Sequence, residues 1–134
     1  MLIQMKIILV IDRVVTGGAE RILVDYYHYL ESMGHEPYVF ALSGNKEQSK
    51  WSNGLRISYG TPGDENNVVK KLFQQMLLLF KLHKLVKNVS PNAIFSFLEK
   101  SNLLTICVPT RKVKKIVSVH NVLSIQYKKI HNSI

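Results

Sequence analysis

Two adjacent glycines, Gly17 and Gly18, lie where the first apolar segment of the chain ends and a helix is predicted to begin. Glycine permits a positive φ and leaves no side chain between the backbone amides and a ligand. The first turn of a helix adds unpaired N–H groups and the positive end of the helix dipole, which favour a bound phosphate. A simple tight connection between two elements has the same sequence, so the pair fits either interpretation.

A second polar group follows the apolar segment of residues 93–98. Glu99 is the only carboxylate in residues 66–134, and Asn102 lies a few positions further on. Polar side chains on a loop after a strand could both bind a ligand. Glu99 could equally pair with Lys100 or neighbouring lysines at a solvated surface, and the sequence allows both interpretations.

A third polar group, His120 and Asn121, follows the apolar segment of residues 115–119. An imidazole at the end of a strand could donate a hydrogen bond to a sugar hydroxyl or a phosphate, or accept a proton near neutral pH. We therefore predict His120 as a catalytic residue and Asn121 as a substrate contact beside it.

Several other kinds of site are disfavoured by residue spacing. A dinucleotide fingerprint needs G-x-G-x-x-G and a P-loop needs G-x-x-x-x-G-K-[ST], and the chain contains neither. Ser43 stands where an NAD-binding domain would have an acidic residue for the ribose. The histidines lack metal-ligand spacing with a cysteine or carboxylate, and no Ser-His-Asp or Cys-His set is evident. We expect neither a metal nor a resident cofactor.

The elements that must position these groups alternate along the chain. Short apolar segments and helical periodicities predict strands at 6–11, 38–42, 55–59, 93–98 and 115–119, with helices at 18–33, from 61–64 to about 88, and 102–108. This order predicts a Rossmann-like α/β fold, a doubly wound and mainly parallel sheet with helices on both faces. Residues 1–134 are long enough for a single domain. The three polar groups should then meet at the carboxyl edge of the sheet, where such folds bind ligands.

Positive charge is concentrated in the second half of the chain. Residues 1–60 carry six Lys/Arg and six Asp/Glu, whereas residues 61–134 carry twelve Lys/Arg and three Asp/Glu. Three lysines share one face of the second predicted helix, Lys70, Lys81 and Lys84, opposite an apolar face of Val69, Leu72, Met76, Leu79 and Val86. The pattern fits a domain helix with a solvated lysine face, or docking on an anionic membrane surface.

Nucleic acid is a disfavoured partner, although the charge alone would suit it. No helix-turn-helix, aromatic RNA-binding sheet or zinc-finger spacing accompanies the lysines. The opening apolar segment is too short to span a bilayer and lacks a cleavage site, so no signal peptide is expected, and Met1 or Met5 can be the initiator. Cys107 is predicted as a core residue, and a lone cysteine fits a reducing, cytoplasmic compartment.

Three segments carry a resemblance to a known family: KIILVIDRVVTGGAERILVDYYHYLESMGHEPYVFAL, AIFSFLEKSN and KKIVSVHN. They resemble the amino-terminal domain of retaining, family 4-type glycosyltransferases of the GT-B fold. In that family the first strand leads through a G-G-A-E-R loop into a long helix. The resemblance covers most of residues 5–125.

The resemblance implies transfer of a sugar, with retention and usually without a metal, from a nucleotide sugar to a lipid-linked or saccharide acceptor. Such reactions build surface polysaccharide and lipopolysaccharide, and the amino-terminal domain mostly holds the acceptor. Gly17 and Gly18 would approach the donor diphosphate, and Arg21 either belongs to the same loop site or faces the surface. The polar residues after the later strands would line the cleft: Asn102, His120 and Asn121.

The family's donor-binding carboxyl-terminal domain has no counterpart in these 134 residues. A truncated gene product, a fragment, or one part of a split enzyme with a donor-domain partner would each explain this. We therefore expect the chain to be inactive alone. The alternative is a non-catalytic basic module that binds the cytoplasmic face of a membrane. An unfinished sheet would also leave an exposed edge and apolar helix faces, which predicts self-association or poor solubility.

Overall fold

The computed structural model describes residues 3–13, 18–44, 54–61 and 67–118. In these ranges strands and helices follow one another in the order β1 (Lys6–Arg13), α1 (Gly18–Ser32), β2 (Glu36–Ser43), β3 (Ile57–Thr61), α2 (Val68–Val89), β4 (Ala93–Phe97), α3 (Glu99–Cys107) and β5 (Lys114–Ser118). Each predicted strand and helix is therefore present, with shifted ends.

The five strands form one sheet in the order β3-β2-β1-β4-β5, and every neighbouring pair is parallel. The chain moves outward from β1 to β3 and then returns to the other side of β1 with β4. The strand order therefore reverses between β1 and β4, as in a Rossmann-like sheet. The prediction of a doubly wound parallel sheet is confirmed.

Alternate residues of β1 face two separate cores. Ile7, Leu9 and Ile11 pack with α1 on one face, whereas Ile8 and Val10 pack with α2 and α3 on the other. A strand covered on both faces needs apolar side chains at consecutive positions. This burial explains why residues 7–11 are apolar without alternation.

Helix α1 contributes one apolar face to the first core. Leu23, Val24, Tyr27 and Leu30 are buried at helical spacing, and the chain turns away at Gly34, whose φ is +85°. A left-handed residue after the last turn suits glycine because it has no Cβ. The predicted helix and its end are confirmed.

Helix α2 begins later than predicted. Asn67 is its N-cap and accepts a hydrogen bond from the Val69 N–H at 3.0 Å through Oδ1. Thr61 belongs to β3 instead, and residues 62–66 lie outside the described ranges. At the other end, the left-handed backbone of Ser90 closes the helix by donating its N–H to the Val86 oxygen.

The face of α2 that packs on the sheet differs from the predicted apolar face. Its buried residues are Leu78, Leu82, Val86 and Val89. Of the predicted face, Val86 is buried and Leu79 is half-buried, whereas Val69, Leu72 and Met76 are exposed. The packed face differs because the described sheet contacts mainly the second half of α2, so its first two turns extend past the core.

Two predictions about α3 were wrong in their details. The helix begins at Glu99 rather than Asn102. Cys107 is exposed rather than buried in the core. One turn of α3 directs Leu104, Thr105 and Val108 inward, so the intervening Cys107 faces outward.

Among the described strands, β5 lies at one edge of the sheet, and its Ile116 and Val117 are partly exposed. Leu103 and Ile106 of α3 are exposed as well. The expected exposed edge and apolar faces are therefore present in the described residues. Self-association and poor solubility stay predictions.

Candidate functional site

The carboxyl ends of β1 and β4 meet through a carboxylate. Asp12, at the end of β1, is half-buried, and its Oδ1 accepts a hydrogen bond from the Ser101 N–H at 3.0 Å. The Ser101 hydroxyl donates to the same oxygen at 2.5 Å. The charge of a carboxylate strengthens both hydrogen bonds, and the carboxylate lies near the positive end of the α3 dipole. This pair fixes the start of α3 against β1.

Asn102 connects β4 to β5 at the same edge. Its Oδ1 accepts from the hydroxyl of the buried Ser96 at 2.6 Å, and its Nδ2 donates to the Ser118 oxygen at 3.0 Å. Both ends of the amide are therefore hydrogen-bonded to protein atoms. In this arrangement Asn102 joins the carboxyl ends of β4 and β5, and its contact with a substrate stays a prediction.

The turn from β4 into α3 has an unusual backbone. Leu98 has a φ of 76° and a ψ of 161°, a region that costs about 1–3 kcal/mol for a residue with a side chain. The turn is held by the Asn102 N–H, which donates to the Leu98 oxygen at 2.9 Å, and by the Asp12 contact to Ser101. Backbone strain of this kind is concentrated at functional sites.

Helix α1 begins at the other side of this strand reversal. A Cβ added to Gly18 would meet no atom of the described residues within 4 Å, so open space adjoins the first turn of the helix on the described side. Glu20 in that turn is buried, and Arg21 is exposed. The starts of α1 and α3 therefore lie on opposite faces of the sheet beside the reversal, where parallel sheets form a ligand-binding crevice.

The structure places two of the three predicted polar groups at the carboxyl edge of the sheet. Gly18 begins the helix that follows β1, while the exposed Glu99 and the half-buried Asn102 begin the helix that follows β4. Gly17, His120 and Asn121 lie outside the described residues. The roles of all these residues stay predictions.

Two functional candidates were missed from the sequence. Asp12 directly follows the apolar run of residues 7–11 in β1, and a charged residue in that position could have indicated a carboxyl-edge ligand or an interstrand contact. Ser101 stands in the predicted loop but received no role of its own. Its hydrogen bond spans 89 positions in the chain, and no local pattern predicts such a contact.

The three lysines predicted to face a membrane are not equivalent. Lys70 and Lys84 are exposed on α2. Lys81 is half-buried, and its ammonium group donates to the Gly60 oxygen of β3. A membrane surface could therefore reach Lys70 and Lys84 directly, whereas Lys81 helps to hold α2 on the sheet.

In the described ranges, no group of three or more His, Cys, Asp or Glu side chains could hold a metal ion. The expectation of a metal-independent site stays a prediction. None of the described helices is both long and apolar enough to cross a bilayer.

The fold defines this chain as a Rossmann-like α/β protein with an all-parallel five-stranded sheet among its described residues. No protein-family model matches the sequence, and a search of curated proteins gives no match.

Proposed function

We propose that this chain is the acceptor-side domain of a retaining, family 4-type glycosyltransferase of the GT-B fold. The carrying observation is the position of the G-G-A-E-R segment, whose Gly18 begins α1 beside the reversal of strand order. Gly18, which belongs to the segment that resembles the family, therefore lies where this type of sheet binds ligands. Within surface polysaccharide or lipopolysaccharide synthesis, the reaction would transfer a sugar from a nucleotide sugar to a lipid-linked or saccharide acceptor.

In this proposal the chain supplies contacts rather than the whole active site. The backbone amides at the start of α1 approach the donor diphosphate, because open space adjoins Gly18 and a helix start favours an anion. Asp12 and Asn102 position the edge, while the exposed Glu99 accepts from acceptor hydroxyls. His120 follows β5 and acts as the proton donor or acceptor. A donor-binding partner or further domain completes the site.

The direct test is sugar transfer from a panel of nucleotide sugars to membrane lipid extracts. The chain is assayed alone and together with a candidate donor-domain protein encoded next to it. Activity only in the mixture supports a split transferase, and activity of the chain alone would overturn the need for a donor half. Absence of transfer in both would count against the proposed acceptor-side role.

A matched pair of variants connects any activity to the helix start. Gly18→Leu places a side chain over the α1 amides in open space, so transfer should fall at least tenfold while the fold persists. Asp25→Leu adds the same side chain to an exposed position two turns further along α1 and should leave transfer unchanged. Equal activity of the two variants would remove Gly18 from the site.

A second candidate function, binding to an anionic membrane surface, is favoured by the exposed side of α2. Five apolar side chains between 63% and 73% exposed form what we call the α2 stripe: Val69, Leu72, Phe73, Met76 and Phe80. The helix also carries five lysines and no acidic residue. Exposed aromatic and aliphatic side chains beside lysines are the features of helices that lie in a membrane interface. This function is compatible with transfer to a lipid-linked acceptor at the cytoplasmic face.

Binding to vesicles tests this second function. Wild-type protein should cosediment with vesicles that contain phosphatidylglycerol and not with pure phosphatidylcholine vesicles. Phe73→Ser should weaken the binding because it removes an inserted aromatic ring, and its exposure means that folding should be preserved. Equal cosedimentation of the wild type and Phe73→Ser would exclude insertion of the stripe.

A further inference from the structure

An open cavity of about 750 Å³ lies at the amino edge of the sheet, away from the candidate site. It lies between the last turns of α2, the turn into β4 and the connection between α3 and β5. Its lining residues include four basic side chains and no acidic one, with the basic residues being His83, Lys87, Arg111 and Lys112. We call this cavity the basic pocket.

Among the described residues, the sequence around the basic pocket contains no nearby carboxylate. Helix α2 contains no Asp or Glu, and the next carboxylate, Glu99, starts α3 at the opposite edge of the sheet. Walls that carry one sign of charge concentrate counter-ions in a cleft. The ligand class that fits the pocket is therefore an anion, and several N–H donors around one cavity suit a phosphate group.

The local structure fixes the pocket walls. The His83 ring donates from Nδ1 to the Pro109 oxygen at 3.2 Å, so the ring is held between α2 and the connection to β5. Ser90 and Lys112, both in the lining, have positive φ values of 52° and 58°. The pocket is therefore formed by defined backbone turns rather than by long side chains alone.

Three residues of the α2 stripe lie on the same helix face as two residues of the basic pocket. Leu72, Met76, Phe80, His83 and Lys87 are separated by four, four, three and four residues, the spacing of one helix face. The apolar row therefore ends in the two basic side chains that line the cavity. From Leu72 to Lys87 the helix rises about 22 Å.

We propose that the basic pocket binds the phosphate headgroup of an anionic membrane lipid while the α2 stripe lies among the acyl chains. The pocket also has an apolar wall of Val86, Pro91, Pro109 and Val113, which suits the glycerol and upper acyl region of such a lipid. A free phosphate would use the cations and leave the stripe and this wall in water. The inference rests on the proposed membrane-surface function and is independent of sugar transfer.

The test compares two lysines on the same helix. Lys84 and Lys87 are both exposed on α2, but only Lys87 lines the pocket. Affinity of the full chain is measured for phosphatidylcholine vesicles containing phosphatidylglycerol, with Lys84→Gln, Lys87→Gln and Arg111→Gln. If the protein is attracted to the surface only by its overall charge, removing one positive charge should weaken binding roughly fivefold, wherever that charge lies. The pocket predicts that Lys87→Gln and Arg111→Gln weaken binding at least tenfold more than Lys84→Gln.

The outcomes separate this inference from the function on which it rests. If no variant differs from Lys84→Gln but wild-type protein still binds, the membrane function stands and the pocket site is overturned. If wild-type protein does not bind anionic vesicles, both are overturned. If inorganic phosphate displaces the vesicles at a concentration equal to that of the phosphatidylglycerol, and this competition depends on Lys87, the site belongs to free phosphate. The lipid assignment is then wrong. Circular dichroism of each variant confirms that α2 is retained.

Discussion

Asp12 at the end of β1 holds Ser101 at the start of α3 through two hydrogen bonds to a single carboxylate oxygen. The pair joins the central strand to the helix that follows its neighbour β4. Because β1 and β4 flank the reversal of strand order, the same contact shapes the candidate site and stabilises the fold.

Removal of the Ser101 hydroxyl should destabilise the protein. Ser101→Ala removes the hydroxyl donor to the Asp12 carboxylate and keeps the N–H donor, and a hydrogen bond to a charged group contributes about 1.5–3 kcal/mol. Urea unfolding of Ser101→Ala, Asp12→Ala and the double variant should show coupling between the sites. Ser58→Ala, at an exposed position of β3, is the control and should change the free energy of unfolding by less than about 0.5 kcal/mol. If the effects of Ser101→Ala and Asp12→Ala on the free energy of unfolding are additive, the contact between these two side chains contributes nothing to stability.

Asn102→Ala should loosen the end of β5. The substitution removes the acceptor of the buried Ser96 hydroxyl and the amide donor to the Ser118 oxygen, a loss of about 1–3 kcal/mol. Hydrogen exchange should accelerate more at amides of β5 than at those of β2, which Asn102 does not touch. Uniform acceleration across the sheet would contradict a local role.

Gly60→Ala should be destabilising because α2 packs closely on β3 at this position. An added Cβ would lie 2.1 Å from Leu78 Cδ2 and 2.6 Å from the Leu42 oxygen, and the latter belongs to rigid backbone. Overpacking of this kind costs about 1–3 kcal/mol. The control, Gly18→Ala, adds a Cβ that meets no atom of the described residues within 4 Å, so thermal unfolding should show little loss or a small gain. Equal melting temperatures for the two variants would contradict the predicted clash.

Thr105→Val should stabilise the protein. The Thr105 hydroxyl is buried and finds no hydrogen-bond partner among the described residues. Valine has a similar shape and avoids the cost of an unsatisfied buried hydroxyl, so the free energy of unfolding should rise by about 1 kcal/mol. Chemical denaturation measures this change. A loss of stability would show that Thr105 has a partner that matters.

The pKa of Tyr38 should be above its ordinary value of 10.0, chiefly because its hydroxyl donates a hydrogen bond to Glu36 and also because of burial. Because the pKa of Tyr38 is higher in the folded state than in the unfolded state, the protonated Tyr38 hydroxyl stabilises the fold below about pH 10. This stabilisation is lost as pH rises through the folded pKa. The difference between the ultraviolet titrations of the wild type and Tyr38→Phe isolates the titration of the Tyr38 hydroxyl. Glu36→Gln should shift the titration downward, and an unchanged midpoint would exclude Glu36 as the main cause.

Much of the architecture could be predicted from residue patterns. The continuous apolar run in β1 predicted a strand buried on both faces, and the periodicity of α1 predicted a helix ending at Gly34. These patterns are local consequences of strand and helix geometry, so a single sequence contains them. Gly18 and Asn102 both follow predicted strands in the sequence, which indicated that both would lie at the carboxyl edge of the sheet.

Helix α2 shows where sequence patterns stop being informative. Its sequence has apolar residues around much of its circumference, so periodicity alone could not decide which of them the sheet covers. The length and position of the neighbouring strands left Leu72 and Met76 exposed and buried Leu78 and Leu82 instead. The same contacts placed the Lys81 ammonium group on Gly60 rather than beside Lys70.

By itself, the sequence determined the order of elements, the parallel sheet and the concentration of positive charge in the second half, because periodicity and composition are local properties. Only the tertiary structure decided that Asp12 holds Ser101, that Cys107 faces outward and that the α2 stripe leads into a basic pocket. Each of these depends on contacts between residues far apart in the chain, and such contacts are set by the packing of whole helices on the sheet.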